Sequence, residues 1–92
     1  MRSRYSAFAV GDAAYLLRSW HPRTRPATIE LDESVRWLRL DIDRTVRGGM
    51  LDTEGIVEFT AHSRRDGRRT SQHEISRFEK VSGDWVYLDA VD

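Results

Sequence analysis

Residues 55–81 read GIVEFTAHSRRDGRRTSQHEISRFEKV, and the Asp66-Gly67 pair at their centre decides the fold. An Asp-Gly pair between two alternating runs is the signature of a two-residue type I′ hairpin, because both central residues must take positive φ. On one side Val57, Phe59 and Ala61 alternate with Glu58, Thr60 and His62; on the other a strand is expected from about Arg69 to Val81. A two-residue loop sets Arg65 opposite Arg68. The register then runs Ala61 to Gln72, Phe59 to Glu74, Val57 to Ser76 and Gly55 to Phe78, all on one side of the sheet. His62, Thr60, Glu58 and Ile56 share the other side with Ser71, His73, Ile75 and Arg77. The first side is the more apolar and is expected to face the core. That puts the Glu74 carboxyl on the covered side, where it needs a partner or a wet cavity.

Outward from this hairpin the period stays at two. Leu38, Leu40, Ile42 and Val46 share one parity against Arg39, Asp41 and Asp43, which predicts a strand from Trp37 to Gly48-Gly49, its core side on the leucine parity. Trp37 then faces outward or lies under the 21–35 connection. Ser82-Gly83 predicts a second turn, followed by a strand over Trp85 to Ala90. With a two-residue loop Trp85, Tyr87 and Asp89 join the side that carries Glu74, with Asp89 opposite Ser76. A three-residue loop would bring Val86 and Leu88 there instead.

The chain before Trp37 reads differently. Met1, Tyr5, Phe8 and Ala9 recur at helical spacing, Gly11 supplies a left-handed stop, and Asp12 is a natural N-cap. A second helix is expected from Ala13 to about Trp20 through Leu16 and Leu17, ending before His21-Pro22. Pro22 and Pro26 mark a connection in which residues 28–32 could form one helical turn. The order is helix, helix and an antiparallel meander of about four strands: an α+β fold with two short N-terminal helices packed on the sheet. At 92 residues one domain over 1–92 is expected, too short for a two-half dinucleotide-binding sheet or a (β/α)₈ barrel.

Composition removes several function classes. Fifteen basic residues balance fifteen acidic ones, which argues against a nucleic-acid or membrane-surface partner. The balance is uneven along the chain: residues 1–27 hold five Arg against one acid, and residues 28–58 hold eight acids against four Arg. The absence of cysteine excludes disulfides and thiolate chemistry and suits a cytoplasmic protein. No run approaches a membrane span, and no signal-peptide core follows Arg2 and Arg4. His21, His62 and His73 lack metal-ligand spacing, so neither a metal nor another cofactor is expected. His73 and Glu74 are strand neighbours that point to opposite faces and form no dyad. The Arg64-Arg65-Asp66-Gly67-Arg68-Arg69 tip could touch phosphates, but the neutral chain favours a solvated turn.

The words Arg2-Ser3-Arg4-Tyr5-Ser6-Ala7-Phe8, Trp20-His21-Pro22, Gly55-Ile56-Val57-Glu58-Phe59, His73-Glu74 with Ser76 and Phe78, and Gly83-Asp84-Trp85-Val86-Tyr87 resemble the YchJ family of small uncharacterised bacterial proteins. The resemblance covers nearly the whole chain. It implies the middle domain of that family, a cystatin-like, nuclear transport factor 2-like cone: a curved antiparallel sheet around helices, often with an internal pocket. Members commonly carry a cysteine-rich SEC-C segment that this chain lacks, so no metal site is carried over. The resemblance also implies a homodimer through the open sheet face around Glu58, Thr60, His62, His73 and Ile75. It transfers no activity, because fold alone does not decide function.

The candidate site is the interior of the cone. Glu74, Tyr87, Asp89, Trp85, Phe59, Tyr5 and Trp20 are expected to line it. The leading expectation is a non-catalytic domain that binds a small molecule or a protein partner there. The alternative is a small acid/base enzyme of isomerase, dehydratase or hydrolase type, using Glu74 or Asp89 as base and Tyr87 as donor; two carboxyls enclosed together would suit that chemistry. Against both stands a carboxylate that is merely structural, held by Arg or by helix N–H groups.

Overall fold

The computed structural model describes residues 1–91; Asp92, the last residue of the expected domain, lies outside them. Two helices, α1 (Arg2–Val10) and α2 (Ala13–Arg18), precede four strands: β1 (Val35–Arg47), β2 (Glu54–Arg65), β3 (Arg68–Val81) and β4 (Asp84–Ala90). The strands form one antiparallel sheet in the order β1-β2-β3-β4.

Local chemistry accounts for the breaks. Gly11 ends α1 in the left-handed region (φ 77°), where its own N–H donates to Phe8 O and that of Asp12 donates to Ala7 O, the paired bonds of a Schellman motif. The Asp12 carboxylate then accepts from Tyr15 N at 3.0 Å and caps α2. Both hairpin turns have positive φ at each central residue: Asp66 at 52° with Gly67 at 78°, and Ser82 at 51° with Gly83 at 87°. These are two-residue primed turns, and the β2–β3 register follows the sequence expectation at every pair, with Phe59 opposite Glu74.

Four expectations are corrected. The second helix stops at Arg18 rather than Trp20, because Ser19 caps it and Trp20 bridges to β4: Tyr87 N donates to Ser19 O at 2.8 Å and His21 N donates to Tyr87 O at 2.7 Å. This ribbon occupies the β4 edge, which would otherwise expose unpaired backbone groups. Residues 28–32 make no helical turn. The facing of β1 is also different. Register shifts lie between Trp37 and Arg39 and between Ile42 and Arg44, so Leu38 and Asp43 are extra residues in the ladder. The first bulge turns Trp37 inward, under α1 against Tyr5 and Phe8, and leaves Leu38 40% exposed. The second sends Val46 to the outer side opposite Ile56 and leaves it 38% exposed. Bulges bend a strand and increase its twist. Finally, a shift between Arg77 and Phe78 leaves Phe78 opposite Tyr87 but moves Asp89 opposite Arg77, not Ser76.

The core lies between the helices and the inner sheet face. Ala7 and Leu16 from the helices are buried with Phe59, Ala61 and Phe78 of the sheet, while Val86 and Leu88 of β4 are buried on its other side. The outer face is mixed: Val46, Ile56 and Leu88 gather at one end, and along the rest Asp41 pairs with His62 (2.9 Å), Asp43 with Thr60 (2.9 Å) and Glu58 with His73 (2.7 Å).

Candidate functional site

At the mouth of the core, α1, the Trp20 ribbon, β2, β3 and β4 enclose a cavity of about 170 Å³ lined by Met1, Arg4, Phe8, Trp20, Phe59, Glu74, Ser76 and Tyr87. Each element delivers its residue by simple periodicity. Phe59 is opposite Glu74 on β2–β3, Ser76 is two residues along β3, and Phe78 with its partner Tyr87 closes the row. Met1, Arg4 and Phe8 stand at helical spacing on α1. Trp20 reaches the same wall because its backbone pairs with Tyr87, and the two rings meet edge-on at 5.0 Å.

Arg4 is the organising cation. Only 5% of it is exposed. Its Nη1 donates to the Leu16 carbonyl at 2.9 Å and to Ser19 Oγ at 2.7 Å, tying α1 to the end of α2. Its guanidinium carbon lies 4.8 Å from the Tyr87 ring centroid and 5.2 Å from that of Trp20. Burial pulls the Arg4 pKa below the ordinary arginine value, while the charges of Tyr87, Tyr15 and Glu74 oppose the shift. Across the cavity Glu74 accepts from Ser76 Oγ at 3.1 Å through Oε1. Among the described residues no arginine, lysine or histidine forms an ion pair with it. Burial first, and then the charge of Glu74, raises the pKa of the Tyr87 phenol above its ordinary value, so it stands as a hydrogen-bond donor at neutral pH.

Of the seven residues expected at the site, Glu74, Tyr87, Phe59 and Trp20 come together here. Asp89 does not. Its carboxylate takes a two-point bond from Arg77 on the outer face, Nε to Oδ1 at 2.7 Å and Nη2 to Oδ2 at 2.6 Å. Trp85 is on the inner side but at the other end of the sheet, packed on Lys80 at 5.1 Å. Tyr5 packs against Trp37 at 5.9 Å and leaves the cavity to Arg4 and Phe8. Arg4 and Ser76 were missing from the expected set. Arg4 had a legible signal: it lies three residues after Met1 and four before Phe8, a charge inside an apolar stripe. Among the described residues no cluster of three metal-ligating side chains occurs.

Two short helices packed on a bent four-stranded antiparallel sheet define a nuclear transport factor 2-like α+β domain. The family model described as "YchJ, middle NTF2-like domain" matches residues 1–90, and the chain belongs to that family. It is 57% identical over 89 residues to a UPF0225 protein of Streptomyces coelicolor, covering 97% of this chain and 68% of that protein. A UPF0225 protein of Chromobacterium violaceum is 45% identical over 94 residues, covering 99% and 70%. The solution structure of a SEC-C motif containing protein from Rhodopseudomonas palustris superposes with a TM-score of 0.83 at 33% identity, covering all of this chain and 76% of that one.

Proposed function

We propose that this domain is a non-catalytic binding module whose cavity takes a small polar molecule, one that presents a hydrogen-bond donor or a cationic group to Glu74. The supporting observation is Glu74 itself. Its Oε1 accepts from Ser76 Oγ at 3.1 Å and the Tyr87 phenol stands beside the same carboxylate, so among the described residues its partners are neutral hydroxyls and no cation neutralises it. A half-buried carboxylate oxygen beside the Trp20, Phe59 and Tyr87 rings favours a donor-bearing or cationic guest. Arg4 adds a complementary anchor: both its bonds come from Nη1, so the rest of its fork is free for an acceptor on the same guest. A volume of about 170 Å³ holds only a few heavy atoms.

An acid–base enzyme is the second reading, and it narrows to Glu74 as base with the Tyr87 phenol as donor. It is favoured by the raised Tyr87 pKa, which keeps that proton in place. Titrating the ¹⁵N-labelled protein with methylammonium, guanidinium and urea tests the binding reading. Saturable shifts at Glu74, Ser76 and Tyr87 are expected, and they should vanish in Glu74→Gln. Shifts that persist in that variant, or none with any probe, would refute it.

A further inference from the structure

The outer sheet face carries a feature that the cavity does not use. The register places Arg36 opposite Arg64 and Arg64 opposite Arg69, so three arginines stand in a row across β1, β2 and β3. All three are exposed. Like charges directly opposite on a sheet destabilise it. Elsewhere on this face cations meet acids: Arg39 and His62 contact Asp41, Arg44 and His73 contact Glu58, and Arg77 contacts Asp89. Among the described residues none of the three arginines in the row has a carboxylate within salt-bridge distance. The row is therefore an uncompensated positive strip on a surface where its neighbouring cations are paired, hidden in the whole-chain count by the acids elsewhere.

We infer that this strip is a binding site for the phosphate group of a small phosphate ester. Adjacent strands lie about 4.8 Å apart, so the outer two arginines are about 10 Å apart at their Cα atoms. Their side chains are long enough for all three guanidinium forks to close on one compact dianion. Arginine forks match phosphate oxygens two bonds at a time. Beside the row runs an open groove of about 390 Å³ whose lining includes Arg39, His62, Arg69, Thr70 and Ser71. On its outer wall the Ser71 hydroxyl is a donor of the kind that accompanies arginine around a phosphate, whereas Thr70 bonds Ser63 and His62 Nε2 is held by Asp41, and the groove has room for the rest of an ester. No phenyl or indole ring stands at the outer-face positions beside the row, so the stacking that holds a single nucleic-acid strand is missing.

The test is a titration of the full chain, followed by ¹⁵N chemical shifts, with inorganic phosphate, glycerol phosphate, a short oligothymidylate and tetraglutamate at matched ionic strength. Saturable shifts centred on Arg36, Arg64, Arg69 and Ser71 are expected with phosphate and its ester. The doubly substituted Arg64→Gln, Arg69→Gln protein should bind at least about tenfold more weakly, the effect of losing one charge-assisted hydrogen bond. Both positions are exposed, and an otherwise unchanged spectrum verifies that the variant is folded. Glu74→Gln, on the opposite face, should bind phosphate like the unmodified chain, which keeps this test separate from that of the cavity. Shifts no larger than with sodium chloride, unchanged affinity in the double variant, or equal binding of tetraglutamate would overturn the inference. Oligothymidylate binding more than about tenfold tighter than the ester would assign the phosphate to a strand and overturn the small-ester form.

Discussion

Replacing Arg4 by Met tests the view that one buried guanidinium ties the helices to the sheet. The substitution removes the bonds to the Leu16 carbonyl and Ser19 Oγ and the contacts with two rings. Each charge-assisted bond is worth about 1.5–3 kcal/mol and each desolvated cation–ring contact about 1–2 kcal/mol. Opposing this is the cost of desolvating the cation, several kcal/mol, which methionine does not carry. Ser19 Oγ keeps its own bond to Tyr15 O (2.8 Å) and a longer one to Leu16 O (3.4 Å), so the Leu16 carbonyl loses its shorter, charge-assisted partner. The net loss expected is about 2–3 kcal/mol, or a fall in melting temperature of about 10–20 °C for a domain of this size. Arg4→Lys keeps the charge but not the fork and should fall between. Urea unfolding read by tryptophan fluorescence measures both. An Arg4→Met protein within about 0.5 kcal/mol of the parent would show that the guanidinium does not hold this corner together.

Three further outcomes are expected. Trp37→Ala should cost about 2–4 kcal/mol by stripping the ring that Tyr5 and Phe8 pack on, whereas Leu38→Ala should cost less than about 1 kcal/mol; equal losses in thermal unfolding would contradict the bulge between them. Tyr87 has its pKa raised in the folded state, so its contribution to stability is present below the unfolded value of 10.0 and is lost as pH rises through the higher folded value. Urea unfolding across the alkaline range should therefore show a steeper decline for the parent than for Tyr87→Phe. Gly55→Ala would place a methyl 2.9 Å from Gly48 Cα and 3.2 Å from Gly48 N, backbone that cannot step aside, and should lower stability by about 1–3 kcal/mol in the same assay.

Turn chemistry made most of the sheet readable in advance. Asp66-Gly67 and Ser82-Gly83 are short, need positive φ, and fix the register of everything that flanks them, which is why Phe59 and Glu74 could be paired from residue types alone. The β1 bulges left no such mark. Leu38, Leu40, Ile42 and Val46 alternate as an unbroken strand would, and only pairing with β2 shows that Leu38 and Asp43 are extra. The end of α2 was obscured for a similar reason. The Ser19 carbonyl and the His21 N–H both pair with Tyr87, a partner distant in sequence, which outweighs a helical preference in so short a segment.

The shift at the end of β4 decides the chemistry of the cavity. In an unbroken ladder Asp89 would stand opposite Ser76, beside Glu74, and two enclosed carboxyls would repel each other as acid–base pairs do. The observed register gives Asp89 to Arg77, and the bond from that guanidinium holds the carboxyl below its usual range. Thr24 strengthens the arrangement from outside the sheet, its hydroxyl donating to the Leu88 carbonyl at 2.7 Å. The second charge in the cavity is therefore Arg4, contributed by a helix, and it is opposite in sign. A site with one cation and one anion, each already holding a neutral partner, is matched to a guest with both a donor and an acceptor. It lacks the like-charge pressure by which paired carboxyls separate into acid and base. One extra residue in a strand of seven thus removes the second carboxyl that the proposed acid–base reading would use and leaves the proposed binding reading the better supported.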